Sequence, residues 1–262
     1  MVRLGRIAWA FFRSAVQQEL AYRADFFGNV VRSLLGIGTA VGGMAVIFSH
    51  TDSLGDWSFD HMLGLLGVFY VILGFVAMFM SPSLNKTVEE VRDGTFDYIL
   101  VKPVPSQFIA TTRRFVLWHV TDIVLGLAVI MVAIRRLDVT LSVMVVAVFL
   151  AMIVTAISIV YAIWLGLTTL VFWFVRIENV TMIFNLFYET GRYPVEIFPF
   201  WLRQALTFIF PIAFITTVPA RAITGREASW LTWAAPVVAV VAVLTASKFW
   251  RIGLSRYSSA SS

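Results

Sequence analysis

The longest uncharged stretch of the sequence, residues 139–175, constrains the fold more than any other feature. As one helix at ~1.5 Å per residue it would be about 55 Å long, whereas the hydrocarbon core of a bilayer is roughly 30 Å thick. It is therefore either a hairpin of two helices or one long tilted helix that projects beyond the membrane. A hairpin needs turn residues, and only Ser158 and Gly166 offer them here. A hairpin would also place the C-terminus outside, so we expect one long helix.

Other apolar stretches also suit a membrane, since about 20 apolar residues cross it. The predicted spans are residues 30–48, 61–80, 115–134, 139–175, the shorter 177–190, and 230–249. The composition agrees, because 60% of the residues are hydrophobic and only 13% are charged, far from the balance of a soluble domain. We expect an all-α membrane protein with six transmembrane helices in a single domain over residues 1–262.

The first residues have the pattern of an interfacial helix. Over residues 6–29, Trp9 and Phe12 recur at helical spacing, while Arg6 and Arg13 lie on the opposite side. A helix of this kind lies in the membrane interface with its arginines toward anionic headgroups. The alternative is a plain cytosolic extension of the first span.

Prolines interrupt the apolar sequence before the last span. Half of the chain's eight prolines fall there, at Pro194, Pro199, Pro211 and Pro219. Broken apolar backbone is tolerated at membrane depth only where protein or a water cavity satisfies it. We therefore expect a pair of short re-entrant helices in the region 192–227, on the outside of the membrane.

The distribution of charge orients the six spans. With both ends in the cytosol, 14 of the 20 Lys and Arg residues lie inside and six outside, as the positive-inside rule requires. The six outside are Arg135, Arg136, Arg192, Arg203, Arg221 and Arg226. The arginines are dispersed around apolar runs instead of gathered on one polar face, so the net charge of +5 does not indicate nucleic-acid binding.

Motifs for chemistry are missing from the sequence. It has no cysteine, no phosphate-binding glycine loop, no HExxH and no GxSxG, so we expect no catalytic residue, cofactor or metal site. His119 and Asp122 share a face of the third span, and an ionisable pair there is a functional candidate. The alternative is that they satisfy each other near the interface. A membrane-embedded lipid-modifying enzyme would need more such residues at one depth, and a scaffold without transport is a further alternative.

The largest polar segment is residues 81–114, between the second and third spans. Thr87 with Glu90 fits a capping box, and Gly94 fits a helix stop, so a short charged helix is predicted in the cytosol. The aromatic residues Phe96 and Tyr98 follow it. Charge with exposed aromatic rings is typical of a docking surface, and the alternative is a solvated loop.

Four groups of residues, in this order along the chain, resemble ABC-2 type exporter permeases. The resemblance is greatest to the compact branch of about this length that works with a daunorubicin-type ATPase. The matching residues are 22–27, then 84–85, 91–97 (Val-Arg-Asp-Gly-Thr-Phe-Asp) and 100–103, then 191–194, 199–202, 211–214 and 219–220, then 256–259. This chain departs from the branch at Lys86, where a second proline is expected.

The resemblance implies a permease domain with an N-terminal interfacial helix, a coupling helix in the loop 81–114 and outside re-entrant helices. Two permeases, identical or paralogous, would pair with two ABC ATPase subunits, which carry the ATP and Mg²⁺. Such a complex lies in the inner membrane of a bacterium, in contact with membrane lipid. The residues implied in ATPase coupling are Lys86, Glu89, Glu90, Arg92, Asp93, Phe96 and Asp97.

The resemblance also implies export of a small molecule, which we expect to be amphiphilic or cationic. Aromatic rings on the fifth span are candidates for its pathway, at Phe184, Phe187 and Tyr188, because each cation–π contact contributes ~0.5–2 kcal/mol. The alternative is that these rings face lipid or pack internally. An outside gate would include Tyr193, Pro194 and Pro211.

Overall fold

A computed structural model describes residues 2–20, 23–174, 188–227 and 229–257. Within these ranges the regular structure is helical and no β-strand occurs, which confirms the all-α prediction. The helices are α1 (Val2–Leu20), α2 (Arg23–Phe48), α3 (Phe59–Phe75), α4 (Ser81–Arg92), α5 (Asp97–Leu100), α6 (Ser106–Thr112), α7 (Val120–Arg136), α8 (Val143–Thr169), α9 (Phe200–Gln204), α10 (Val218–Ile223) and α11 (Trp230–Leu254).

In the described part of the chain, five helical runs are long and apolar enough to cross a membrane. They are Phe26–Phe48, Phe59–Arg92, Leu117–Arg136, Val143–Phe172 and Trp230–Leu254. They correspond to the predicted spans one, two, three, four and six. Most of the predicted fifth span, 177–190, lies outside the described residues, including Phe184 and Phe187.

The uncharged stretch forms one helix and not a hairpin, as predicted. The side chain of Ser142 caps α8 by accepting a hydrogen bond from the Val145 N–H at 3.2 Å. The helix then continues without a turn to a final 3₁₀ turn at Leu170–Phe172. At 30 residues it is longer than the roughly 20 needed to cross the hydrocarbon.

The proline-rich region contains the expected pair of short helical segments. Phe200–Ile209 and Ala213–Ile223 are bent by 78° relative to each other, with Pro211 at the break. We call these two segments the bent pair. The end of the helix bundle that holds the bent pair and residues 49–58 is called the bent-pair end. The opposite end, which holds residues 93–116 and the C-terminus of α11, is the loop end.

α3 lies at the centre of the bundle. In its most apolar window 78% of residues are buried within the chain, against 11% for α2. Glycines let α3 approach α7 at backbone contact: a Cβ on Gly67 would stand 2.7 Å from the Gly126 carbonyl oxygen. Gly67 therefore packs inside the chain. α8 packs along α11, and the second segment of the bent pair contacts both α8 and α3.

α3 and α4 form one continuous run, because a wide π-turn at Val76–Met80 joins them. Pro82 has no N–H to donate to the Met78 carbonyl four residues earlier. The Val116 N–H donates to that carbonyl instead, at 3.0 Å. The helix therefore passes through a proline without ending, and the segment before α7 is attached to it.

The predicted helix 6–29 falls on two described helices, α1 (Val2–Leu20) and the start of α2 at Arg23. Residues 21–22 between them lie outside the described residues. The end of α1 is held by Glu19, whose two carboxylate oxygens each accept from the Leu117 N–H at 2.8 Å. This contact fixes α1 beside the start of the third span.

Candidate coupling site

The loop between α4 and α6 begins with a helix stop at Gly94, as the sequence predicts. Gly94 has φ +68°, which a residue with a Cβ rarely adopts. The Thr95 N–H donates to the Glu90 carbonyl at 2.8 Å and the Gly94 N–H to the Val91 carbonyl at 3.4 Å. These are the two hydrogen bonds of a Schellman motif, and they turn the chain back toward the bundle.

Phe96 is fully buried, at 0% exposure. Its ring contacts Phe172 at 5.6 Å, Trp250 at 6.3 Å and Tyr257 at 5.6 Å between centroids. The prediction that Phe96 is an exposed ring for a partner is therefore wrong. The chain itself fills its surroundings, because the C-terminal turn of α8 and the end of α11 meet beneath the loop. We call Phe96, Phe172, Trp250 and Tyr257 the aromatic knot.

Apolar side chains are exposed at the tip of this loop. Tyr98 is 73% exposed, Val101 is 81% exposed and Leu100 is also exposed, whereas Ile99 between them is buried. The short helix α5 separates the two sets by directing Ile99 inward. The exposed aromatic residue that the sequence pattern predicts is thus Tyr98, and we call Tyr98, Leu100 and Val101 the loop tip.

The predicted capping box at Thr87 and Glu90 is absent, because α4 already runs through both residues. The Thr87 hydroxyl instead donates to the Ser83 carbonyl at 3.0 Å. Glu90 pairs with Arg113, with 2.5 Å between Oε2 and Nη1, and both side chains are largely buried. Arg113 also donates to the Thr87 hydroxyl at 3.0 Å. Glu90 is therefore part of an internal link between α4 and the segment after α6.

The other charged residues predicted for coupling lie nearer to solvent. Lys86 and Glu89 form an ion pair on the surface of α4, 3.0 Å apart. Arg92 and Asp93 are exposed at the end of α4, and Asp97 is half-buried at the start of α5. The pKa of Tyr257 is raised, mainly by burial and then by the negative charge of Asp97. Asp97 thus lies beside the aromatic knot.

Polar contacts that the sequence analysis missed also hold the loop to the bundle. The Gln107 amide donates to the Tyr161 hydroxyl and to the Ser247 hydroxyl, each at 3.0 Å. The Trp250 indole N–H donates to the Ser106 hydroxyl at 3.4 Å. No local pattern identifies these pairs, because their members are 54 to 144 residues apart.

The predicted gate residues lie at the opposite end. Pro194 precedes a short 3₁₀ turn, Pro211 lies at the break of the bent pair, and Tyr193 is half-buried beside them. Four arginines surround this region. Arg192, Arg221 and Arg226 contact aromatic or acidic side chains. Arg203 donates to the Glu196 backbone carbonyl at 2.6 Å.

Trp57 organises part of this arginine cluster. It is fully buried, and the Arg226 and Arg221 guanidinium carbons lie 4.7 Å and 5.9 Å from its ring centre. Arg221 also pairs with Glu196 at 2.7 Å. The pKa of Arg226 is lowered, first by burial and then by the positive charge of Arg221.

Three other candidate residues lie within the described chain: Tyr188, His119 and Asp122. Tyr188 is buried and stacks on Phe69 with 5.0 Å between ring centres, so it packs internally in this conformation. His119 Nδ1 lies 2.8 Å from one Asp122 oxygen, and the Ser33 hydroxyl donates to the other at 2.5 Å. This pair therefore connects α2 to α7.

Comparison with known proteins gives one match. The sequence model of the family described as "ABC-2 family transporter protein" matches residues 34–261. Searches of the curated proteins and of the solved structures find no match.

Proposed function

The chain belongs to the ABC-2 transporter family and is a membrane permease subunit of an ABC transporter, and we propose that it exports an amphiphilic or cationic small molecule. ATP hydrolysis takes place on a separate ATPase subunit. The observation that carries the coupling to this ATPase is the loop tip: three exposed apolar side chains stand directly above a buried aromatic knot. Exposed apolar and aromatic groups are the residues that partner surfaces cover.

The knot provides a route for coupling. Movement of an ATPase against Tyr98 displaces the loop, and Phe96 transmits that displacement to Phe172 and Trp250, which belong to the ends of α8 and α11. Glu90 resists independent movement of the loop because it is tied to Arg113. Of the residues implied in coupling, Phe96 and Glu90 act inside the permease. The exposed charges at Lys86, Glu89, Arg92 and Asp93, with Asp97, border the partner.

The loop end faces the cytosol in this proposal, and both termini lie there. The support is the excess of basic residues on that side, since lysine and arginine are retained in the cytosol during insertion. The chain has no cysteine, so single cysteines report the orientation. Tyr98→Cys should react only with reagent applied to the cytosolic side and Phe200→Cys only from outside. The reverse pattern would refute the orientation.

A second permease, identical or paralogous, completes the transporter, together with two copies of the ATPase. α2 supports this arrangement, because the described part of the chain does not pack against the side of α2 that holds its C-terminal glycines. A Cβ added at Gly38, Gly42 or Gly43 would meet nothing within 4 Å there, and small residues let transmembrane helices approach closely. The substrate pathway lies between the two permeases, near Phe184, Phe187 and Tyr188, and is closed outside by Tyr193, Pro194 and Pro211.

Removal of the Tyr98 ring tests the docking role. Tyr98→Ala should weaken ATPase binding by about 2 kcal/mol, as for an aromatic interface anchor, and reduce substrate-stimulated hydrolysis. Permease stability should stay unchanged because the ring is exposed. Phe200→Ala is the matched control, since Phe200 is equally exposed, at 73%, on the opposite end. Co-purification of the ATPase measures the effect, and equal recovery for Tyr98→Ala and Phe200→Ala would refute the docking role.

A further inference from the structure

A cleft of about 640 Å³ separates α1 from the segment that joins α6 to the third span. Its lining combines charged and aromatic side chains, among them Glu19, Arg113, Arg114, Phe11 and Phe115. None of the residues implied in coupling lines the cleft. Its lining includes Arg113, which is the ion-pair partner of Glu90. The cleft is therefore a separate feature of the loop end.

The contacts of α1 place this cleft at the depth of the lipid headgroups. Glu19 accepts from the Leu117 N–H, and Leu117 begins the third membrane-crossing run. The Phe12 and Phe115 rings meet at 5.8 Å, next to the same junction. Trp9 on α1 is 65% exposed, as suits an amphipathic helix in the interface. The cleft thus opens where the hydrocarbon ends and water begins.

The charge that faces the cleft is positive. Arg113 is engaged by Glu90 and Thr87. Arg114 is exposed, and its charge contributes, after that of Lys86, to lowering the pKa of Glu89. Among the described residues its guanidinium forms no hydrogen bond or close ion pair. The described lining holds one acidic residue, Glu19, against these two arginines, and its carboxylate accepts the Leu117 N–H. The Arg114 guanidinium is therefore available to an anionic ligand.

We infer that this cleft binds the phosphodiester group of an anionic phospholipid. Arg114 binds the phosphate, since a guanidinium donates two parallel hydrogen bonds to phosphate oxygens. Phe11, Phe115 and Pro82 contact the glycerol and the first carbons of the acyl chains. Basic pockets at the cytoplasmic ends of membrane helices bind such headgroups. The binding does not depend on transport or on an ATPase.

The bound headgroup would lie next to Arg113, which carries the ion pair to Glu90. Lipid composition would therefore influence the stiffness of the coupling loop. This consequence rests on the proposed function, whereas the binding itself does not, and the experiment below measures binding alone.

Native mass spectrometry of the full chain, purified in neutral detergent with any subunit that co-purifies, tests the inference. Phosphatidylglycerol and phosphatidylcholine of equal chain length are compared as ligands. Phosphatidylglycerol should bind at least about tenfold more tightly, since only it carries a net charge to pair with Arg114. Arg114→Gln should lose about tenfold in affinity for phosphatidylglycerol, while Arg114→Lys should lose less than Arg114→Gln, because an ammonium keeps the charge but not the two parallel hydrogen bonds.

Two variants serve as controls in the same assay. Arg13→Gln also removes an exposed charge, from α1 outside the cleft, and should change the affinity by less than about twofold. Glu19→Gln keeps an acceptor for the Leu117 N–H while removing a negative charge, so its affinity should be equal or higher. Equal binding of the two lipids, or equal losses for Arg114→Gln and Arg13→Gln, would overturn the inference. Glycerophosphoglycerol binding as tightly as the lipid would instead indicate a soluble phosphate ester and overturn the lipid assignment.

Discussion

The two ends of the bundle differ in the groups that surround their buried aromatic side chain. At the loop end, Phe96 packs among other rings, and an exposed tip stands above it. At the bent-pair end, Trp57 is covered by the guanidinium groups of Arg221 and Arg226, and Arg221 is paired with Glu196. Both ends expose apolar rings, Tyr98 at the first and Phe200 at the second, so the ends differ in what covers the buried ring: other rings at the loop end and guanidinium groups at the bent-pair end.

This difference has a physical consequence for how each end responds to salt. Ring–ring packing depends little on ionic strength, and the Glu90–Arg113 pair that holds the loop is largely buried, so the contacts of the loop end should be insensitive to salt. Contacts between ions and rings, or between opposite charges, weaken when water and salt reach them. The contacts that hold Trp57 at the bent-pair end should therefore weaken more with added salt than the contacts of the loop end.

The largest effect is expected from Phe96→Ala. Truncation of a fully buried phenylalanine leaves a cavity and costs about 3–5 kcal/mol, so the purified permease should melt at a markedly lower temperature and lose ATPase stimulation. Phe200→Ala, at an exposed ring, is the control and should melt like the unchanged chain. An unaltered melting temperature for Phe96→Ala would mean that the knot does not hold the loop.

A smaller, local effect is expected from Arg221→Gln at the bent-pair end. It leaves Glu196 without its partner and removes one cation from Trp57, at a cost of about 1–3 kcal/mol. Hydrogen exchange should quicken over residues 195–224 and remain unchanged over 93–112. Arg135→Gln removes an exposed arginine at the same end and should leave both regions as they are. Equally faster hydrogen exchange in both regions would show that the two ends do not respond independently.

The smallest effect should come from Glu89→Ala. Its ion pair with Lys86 is exposed, so the melting temperature and the recovery of the ATPase should not change measurably. The neighbouring Glu90→Ala removes the partner of a largely buried arginine and should cost about 1–3 kcal/mol. Melting curves of the two variants provide the comparison. Indistinguishable curves would contradict the internal role of Glu90.

Features that depend on neighbouring residues could be predicted from the sequence. The length of the run 139–175 and its lack of turn residues predict the long helix α8. Gly94 predicts a helix stop because few residues other than glycine tolerate its φ, and Pro211 predicts the break in the bent pair. These outcomes depend on hydrocarbon thickness, hydrogen-bond periodicity and backbone sterics, all of which act over a few turns.

The tertiary structure decided what each side chain contacts. Phe96 has the local pattern of an exposed docking ring, yet it is buried because α8 and α11 end beneath it. Glu90 fits a capping box, but Pro82 does not stop the helix, since Val116 supplies a hydrogen bond from 38 residues away in the chain. Burial and pairing are set by elements distant in sequence, so no local pattern could distinguish the buried Phe96 from the exposed Tyr98 two positions later.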